Sequence, residues 1–564
     1  MLVMTKLSNY KFKDKIFINL LYCCVLIFFV FCKKLAFSQT NEASNELTSQ
    51  NINNDIKVSK LAKPSLGSLG INTEVNKLIG INIWQNMEAK EIIEHLNYLP
   101  DILSSKYLQT FLNNIYISTS VPPKGKSDEI LKFLETRLFK IKNSGKSENL
   151  YNLVTQLPKG KKWEIWRRWQ TEYELINRQD KKACQFINEE SKINFLNFWQ
   201  MARIFCLSIE GKRDQSEFIL DLIKTRGFED QIFEDLFQSI YNENKTLNFE
   251  DKKNQIQPLH IVMMDTLKIP IKANYIAHLG IEYTDSLLAL NYLTSKARSF
   301  LLDKKINYSF VSVDQIIENY KSVADGNVDF KKAYSDFINE PNGYNRANVW
   351  LSVINMKDET KQANSIFDII KAETNNGRFS NVINLYLTIL DQIDNASLTK
   401  EQNEFIQKLK VSSRPNLYPD NNFVNIISLE EGKIWDWNLI LKEKAWPLIP
   451  IIEKAGMLEP NSLNWLNYLK NLKEDELKEE NYFKWENNYS LKRFVLTKSI
   501  QQAAKNDNKT LTVLLTARLL GDNPLIDFDL NNLLIVKSSL KKIGLKNLAK
   551  KLTQEIMIYK IINL

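Results

Sequence analysis

"LLIVKSSLKKIGLKNLAKKLTQEIMIY", residues 533–559, decides the fold class. Leu533, Val536, Leu540 and Ile543 recur at intervals of three and four, the spacing of one apolar stripe along an α-helix. Gly544 interrupts the run, and Leu545, Leu548, Leu552, Ile556 and Tyr559 start a second stripe. Two one-faced helices joined at a glycine bury their stripes against each other and their neighbours, so the stretch predicts a helical hairpin.

The scheme recurs upstream. "IIKAETNNGRFSNVINLYLTIL", residues 369–390, turns at Gly377. In "FLNFWQMARIFCLSIEG", residues 195–211, Phe195, Trp199, Ala202, Cys206 and Ile209 share one face and Gly211 ends the run. Asp214 with Glu217 three later reads as a cap for the next helix, which stops at Gly227. The chain has only 16 Gly and 14 Pro in 564 residues, too little turn punctuation for a sandwich, barrel or Rossmann fold. The expected fold is therefore all-α: an α-solenoid of degenerate antiparallel helix hairpins, a TPR-like superhelix without a fixed period. Its parts are 79–411 and 424–564, with the two prolines of "SSRPNLYPDNN" marking a break at 412–423. Two β-branched patches, Ile115–Val121 and Tyr308–Val313, read as connections, because alone they would lack a sheet.

The N-terminus carries an address. Lysines lead into "IFINLLYCCVLIFFVFC", Ile16 to Cys32, and Ala36-Phe37-Ser38 then fits the small-x-small pattern before a cleavage site. Residues 1–38 read as an export signal cut after Ser38, with an uncleaved anchor as the alternative. Lysine placement puts the body outside the cytoplasm in both cases, in the periplasm. Cys23 and Cys32 follow Tyr22 and Phe31, where a lipid-anchored cysteine needs a small residue. Residues 39–78 are polar, Ser- and Asn-rich and free of aromatics, and read as a disordered linker.

Charge points away from nucleic acid. Of the net +9, residues 1–38 hold +5 (six lysines and Asp14), which leaves +4 over the remainder. In "KKWEIWRRWQTEYEL", residues 161–175, Trp166, Trp169 and Tyr173 form one stripe that continues to Ile176. Arg167 and Arg168 share the opposite side with Glu164, Glu172 and Glu174. Bases need cations and stacking rings on one surface, so this is a buried structural face, with Trp163 off the stripe and exposed.

Other chemistries lack their patterns. Gly125-Lys126-Ser127 and Gly145-Lys146-Ser147 resemble the end of a phosphate loop, but Ser120 and Lys140 stand where it needs a second glycine. The histidines are His95, His260 and His278; the latter two are eighteen apart with no acid or cysteine at ligand spacing, so a zinc site is not expected. Glu555 reads as a solvated or capping charge inside its helix. Lys537, Lys541, Lys542, Lys546, Lys550 and Lys551 read as a solvated helix face. No catalytic residue, cofactor or metal site is expected, and no small-molecule substrate. Cys184 and Cys206 are the two cysteines of the body; in an oxidising compartment they form a disulfide or pack as two free thiols, and spacing leaves both open.

"GINIWQNMEAKEIIEHLNYLP" (80–100), "ACQFINEE" (183–190), "NFWQMARIFCLSIEGKRDQ" (197–215), "PLHIVMMDTLKIP" (258–270) and "IGLKNLAKKLTQE" (543–555) together resemble a family of exported alphaproteobacterial proteins. Some members are labelled "antifreeze glycopeptide polyprotein", a label that the absence of Ala/Thr tripeptide repeats here does not support. The resemblance covers the chain from about Leu78 to its end. It implies no catalytic residues, and it implies a bond between Cys184 and Cys206. The expected function is a non-catalytic periplasmic scaffold for envelope proteins or peptides. The alternatives are an envelope enzyme acting on cell-wall polymer and a chaperone-like holder of outer-membrane clients.

Overall fold

Gly544 takes a φ of +83°, in the left-handed region, between helices Leu530–Lys542 and Lys546–Ile562. A Cβ there would meet no atom within 4 Å, so backbone conformation and not crowding selects glycine. The turns at Gly377 and Gly211 have the same form, at +71° and +75°. They join Glu359–Asn375 to Phe379–Leu390 and Asn197–Ile209 to Arg213–Lys224. Every residue of the two terminal stripes is buried, from Leu533 to Tyr559.

The computed structural model describes residues 65–242, 247–324, 329–430, 432–436, 439, 449–459 and 491–562. The segment read as signal or anchor, and the linker as far as residue 64, lie outside the described residues. The chain is all-helical at 70% helix, with no strand among the described residues and only isolated bridges such as Ile71 with Ser118. Residues 65–78 are folded, which shortens the linker as read from sequence. They carry a 3-10 turn (Leu66–Ser68) and a helix (Glu74–Ile79) with Val75 buried. Thr73 caps that helix, and Ile71 bonds Ile117, so backbone pairing anchors a segment poor in apolar residues. Residues 412–423 run from the end of Lys400–Ser413 through Pro415–Leu417 into Asn422–Ser428. They form a surface connection inside one unit, Pro64–Leu564, and not a boundary.

Consecutive helices pack as neighbours along most of the path. The last ones also return to the first. Lys546–Ile562 packs on Lys106–Ile117, Glu359–Asn375 and Asn422–Ser428, and Lys509–Leu520 packs on Ala89–Tyr98. Thr510 Oγ1 donates to the Ile83 carbonyl at 2.6 Å, and Ser104 N to the Gly521 carbonyl at 3.2 Å. The Arg518 guanidinium stands 4.0 Å over the Tyr98 ring.

Helix Glu164–Ile176 has neighbours on more than one side, which corrects the reading of its polar face. Trp166, Trp169 and Ile176 are buried, but so are Trp163, Glu172 and Glu174, while Ile165 is exposed. Glu172 accepts from Arg168 at 3.0 Å and from the Tyr283 hydroxyl, and Glu174 accepts from Tyr151 at 2.7 Å. A helix enclosed by others buries its acids once each has a donor. Among the described residues the indole N–H groups of Trp166 and Trp169 find no acceptor. Burying about 200 Å² of ring at ~25 cal/mol/Å² gains roughly 5 kcal/mol, against ~1–3 for the unmade bond, so burial wins. Asp214 and Glu217 do not cap their helix. It starts at Arg213 behind Lys212, and Glu217 pairs with Arg213 at 2.7 Å.

A buried charge network ties three helices and the start of a fourth. Arg346 (in Gly343–Ile354) donates to Glu373 at 2.8 Å and to Asp303 at 3.0 and 3.1 Å. Arg378, at the start of Phe379–Leu390, lies 2.8 Å from Asp303 and 3.5 Å from Glu373, charge contacts without hydrogen-bond alignment. Two cations face two carboxylates. Burial works against the Arg346 charge, but Glu373 and Asp303 outweigh it and raise its pKa.

Candidate functional site

Cys184 and Cys206 are joined by a disulfide, with Cα atoms 5.6 Å apart. The bond ties helix Asp180–Glu190 to helix Asn197–Ile209 and brackets the connection 191–196 between them. That connection holds three large apolar side chains in solvent: Ile193 is 78% exposed, Phe195 64% and Leu196 56%. Phe195 thus falls outside the helical stripe expected of it, because the helix begins only at Asn197; Trp199, Ala202 and Cys206 keep to the stripe and are buried.

The tip is exposed because its backbone is held from behind. The buried Gln200 side chain donates to the Ser191 carbonyl at 3.0 Å and the Asn194 carbonyl at 3.1 Å. The Asn194 side chain in turn accepts the Leu196 N–H at 3.2 Å. Arg226 covers one edge, its guanidinium 5.7 Å from the Phe195 ring centre.

Beside the tip runs a groove of about 730 Å³, its far wall formed by Lys159–Lys161 and the first turn of Glu164–Ile176. Arg167 braces the walls, donating to the Gly160 carbonyl at 2.6 Å and to Glu190 at 2.9 Å. Glu164 accepts the Trp199 indole N–H at 3.1 Å, and Lys159 lies 3.7 Å from Glu189. Each acid of the groove thus has its own partner, while Phe186, Ile193, Phe195 and Leu196 supply apolar surface. An apolar patch with a mixed-charge rim is suited to gripping a side chain of another protein.

The remaining sequence candidates are engaged structurally. His260 is buried, its Nδ1 accepting the Gln257 N–H at 3.1 Å and its Nε2 lying 3.2 Å from Asp230. Nδ1 is thus taken by the backbone, while the approach of Nε2 to Asp230 is a charge contact without hydrogen-bond alignment. His278 Nε2 lies 2.6 Å from the Ile256 carbonyl, and burial lowers the pKa of His95. Gly125-Lys126-Ser127 and Gly145-Lys146-Ser147 each lead into a helix, Ser127–Asn143 and Ser147–Val154. The Ser147 hydroxyl donates to the Glu282 carbonyl. Among the described residues no group of three or more His, Cys, Asp or Glu is placed to hold a metal ion. No described helix is long and apolar enough to cross a membrane.

Glu555 is a cap, but for a distant helix. It is 2% exposed and accepts from the Ser105 hydroxyl and the Lys106 N–H at the start of Lys106–Ile117. Burial pushes its pKa up to about 7 against those hydrogen bonds. Lys537 also departs from the expected solvated face: it is buried and donates to the Leu429 carbonyl, while Lys542, Lys546 and Lys550 are exposed.

No protein-family model, curated protein or solved structure matches this chain. The functional reading rests on the site. Sequence periodicity missed Ile193, Leu196 and Gln200. The available signal was the apolar run Ile193–Leu196, which fits neither flanking helical stripe.

Proposed function

We propose that this chain is an exported, non-catalytic protein that docks a protein or peptide partner in the cell envelope. Its body is, on this reading, a degenerate TPR-like solenoid of antiparallel hairpins whose last helices fold back on the first. One observation carries the docking reading: Ile193, Phe195 and Leu196 stand in solvent on backbone pinned by Gln200 and bracketed by a disulfide. Apolar side chains on a braced backbone lose little freedom on binding, which favours affinity. The Cys184–Cys206 bond suits an oxidising compartment, where the segment 1–38 would deliver the chain, and the resemblance to exported proteins agrees.

The test is crosslinking in the native cells, with wild type compared against a Phe195→Asp/Leu196→Asp variant. One or two envelope proteins recovered with wild type and lost with the variant support docking at the tip. The same proteins from both, or cell-wall polymer from wild type, refute it; polymer would move the reading to an enzyme of the wall. A broad set of unfolded outer-membrane clients would favour a holder of such clients over a scaffold.

A further inference from the structure

We propose a second site, independent of the tip at Phe195: the cleft at the seam between the first and last helices, with Lys106 on its floor, binds a small organic monoanion. The cleft encloses about 420 Å³, within the roughly 300–1,000 Å³ range of small-molecule sites. It is assembled from parts far apart in sequence: residues 102–104 with Lys106, Asn307, 374–377, Asp522 with 524–526, and Tyr559. Leu103, Lys106, Leu525 and Tyr559 are buried, whereas Asn307, Asn375, Asn376 and Asp522 are exposed at the mouth. The chain closure that makes the fold therefore also makes the cleft.

Lys106 gives the cleft its chemistry. The residue is 6% exposed, and its ammonium donates to the Asn307 carbonyl. Among the described residues no carboxylate forms an ion pair with that ammonium. Glu555, the nearby acid, directs its oxygens to the Ser105 hydroxyl and the Lys106 backbone N–H. An ammonium has three donors and a full charge, and a buried one needs acceptors and a counter-charge. Burial pushes the Lys106 pKa down to about 8; Glu555 opposes this and Arg378 adds to it. An entering carboxylate or sulfonate would supply both the acceptors and the charge in a site of low polarisability, where charge-assisted bonds are strongest.

The rest of the lining narrows the ligand. Asp522 at the mouth repels a second negative charge, which restricts the ligand to one. Leu103, Leu525 and Tyr559 offer apolar surface to its body, and Asn307, Asn375 and Asn376 bring amide groups to its outer end.

Protection from an amine reagent tests the site. 1-Fluoro-2,4-dinitrobenzene carries no charge; a neutral lysine amine attacks its ring carbon, the C–N bond forms, fluoride leaves and the amine proton passes to water. It is applied below stoichiometry to the full-length chain at pH 8, alone, with excess benzenesulfonate and with excess neutral benzenesulfonamide, and the labelled lysines are located by peptide mass spectrometry. Benzenesulfonate holds Lys106 in its charged, unreactive form and is expected to lower its labelling relative to exposed lysines such as Lys77 about tenfold, the factor one charge-assisted contact gives, while the sulfonamide leaves the ratio unchanged. An equal effect of the two compounds, or no effect of either, means that Lys106 does not recognise anions, and overturns the proposal. Absence of any Lys106 product from the reagent alone means that small molecules do not reach the floor, and overturns it as well.

Discussion

Glu555 Oε1 accepts the backbone N–H of Lys106 at 2.9 Å, a bond between residues 449 apart in sequence. Through it the last helix caps the first turn of helix Lys106–Ile117, where the backbone N–H groups have no partner of their own and negative charge is favoured. The same contact joins the two ends of the described body. Closure of the fold thus depends on a carboxyl group that is almost wholly removed from water.

That burial makes stability depend on pH. The Glu555 pKa rises from the ordinary 4.5 to about 7, so the folded chain holds a proton that the unfolded chain releases. The contribution is fullest below pH 4.5 and declines as pH rises to about 7, by roughly 3 kcal/mol at most. The Lys106 pKa is lowered from 10.5 to about 8, so its penalty is full below pH 8 and fades as pH rises toward 10.5. Glu555→Gln keeps an acceptor for the Lys106 N–H and carries no charge. Urea midpoints at pH 5 and 7.5 should fall with pH in wild type and stay nearly level in the variant. A variant with the wild-type slope would remove Glu555 as the cause.

The disulfide should be worth about 3 kcal/mol, because it closes a loop between residues 22 apart and removes that freedom from the unfolded chain. Urea unfolding with and without dithiothreitol measures it. Wild type should lose about that amount on reduction, and Cys184→Ala/Cys206→Ala should not respond to the reductant. If wild type holds its midpoint, the bracket adds nothing to stability.

Residues at the tip should separate binding from folding. Phe195→Asp/Leu196→Asp changes exposed side chains and should shift stability by no more than about 0.5 kcal/mol. Gln200→Ala removes two hydrogen bonds to the connection, at ~1 kcal/mol each, and should cost about 2 kcal/mol. Circular dichroism melts of both variants check the order. A larger loss from the double aspartate variant would mean that the tip is part of the core.

The hairpins were legible in sequence because local physics makes them. Apolar residues at three- and four-residue intervals set the stripes, and Gly211, Gly377 and Gly544 supply left-handed turns. What stayed hidden depends on neighbours. Glu172 and Glu174 sit on the polar side of their helix, and only the helices packed beyond them turn that side inward. Phe195 continues the stripe of Trp199 by count, yet Gln200 holds the connection so that it points to solvent. Glu555 looked like any helical acid, since nothing local reveals a partner 449 residues away. The docking tip and the seam cleft share this cause: both depend on where separate segments meet.

The network of Arg346, Arg378, Asp303 and Glu373 gives a test in which charge balance and loss of contact predict different outcomes. Arg346→Met removes one cation and leaves Asp303 and Glu373 facing Arg378 alone; Glu373 and Arg378 are both fully enclosed. Removing one partner of a buried ion pair costs about 3–5 kcal/mol, because the charge left behind cannot regain its water. Glu373→Gln alone leaves two cations with one carboxylate and should also destabilise. Combined, Arg346→Met/Glu373→Gln pairs Arg378 with Asp303 and restores neutrality. The double variant should therefore be more stable than the sum of the single losses, by roughly 1–3 kcal/mol. Urea midpoints of the four proteins measure that coupling. Strict additivity, or an Arg346→Met loss below about 1 kcal/mol, would mean that water reaches these charges and that packing, not charge balance, holds the four elements together.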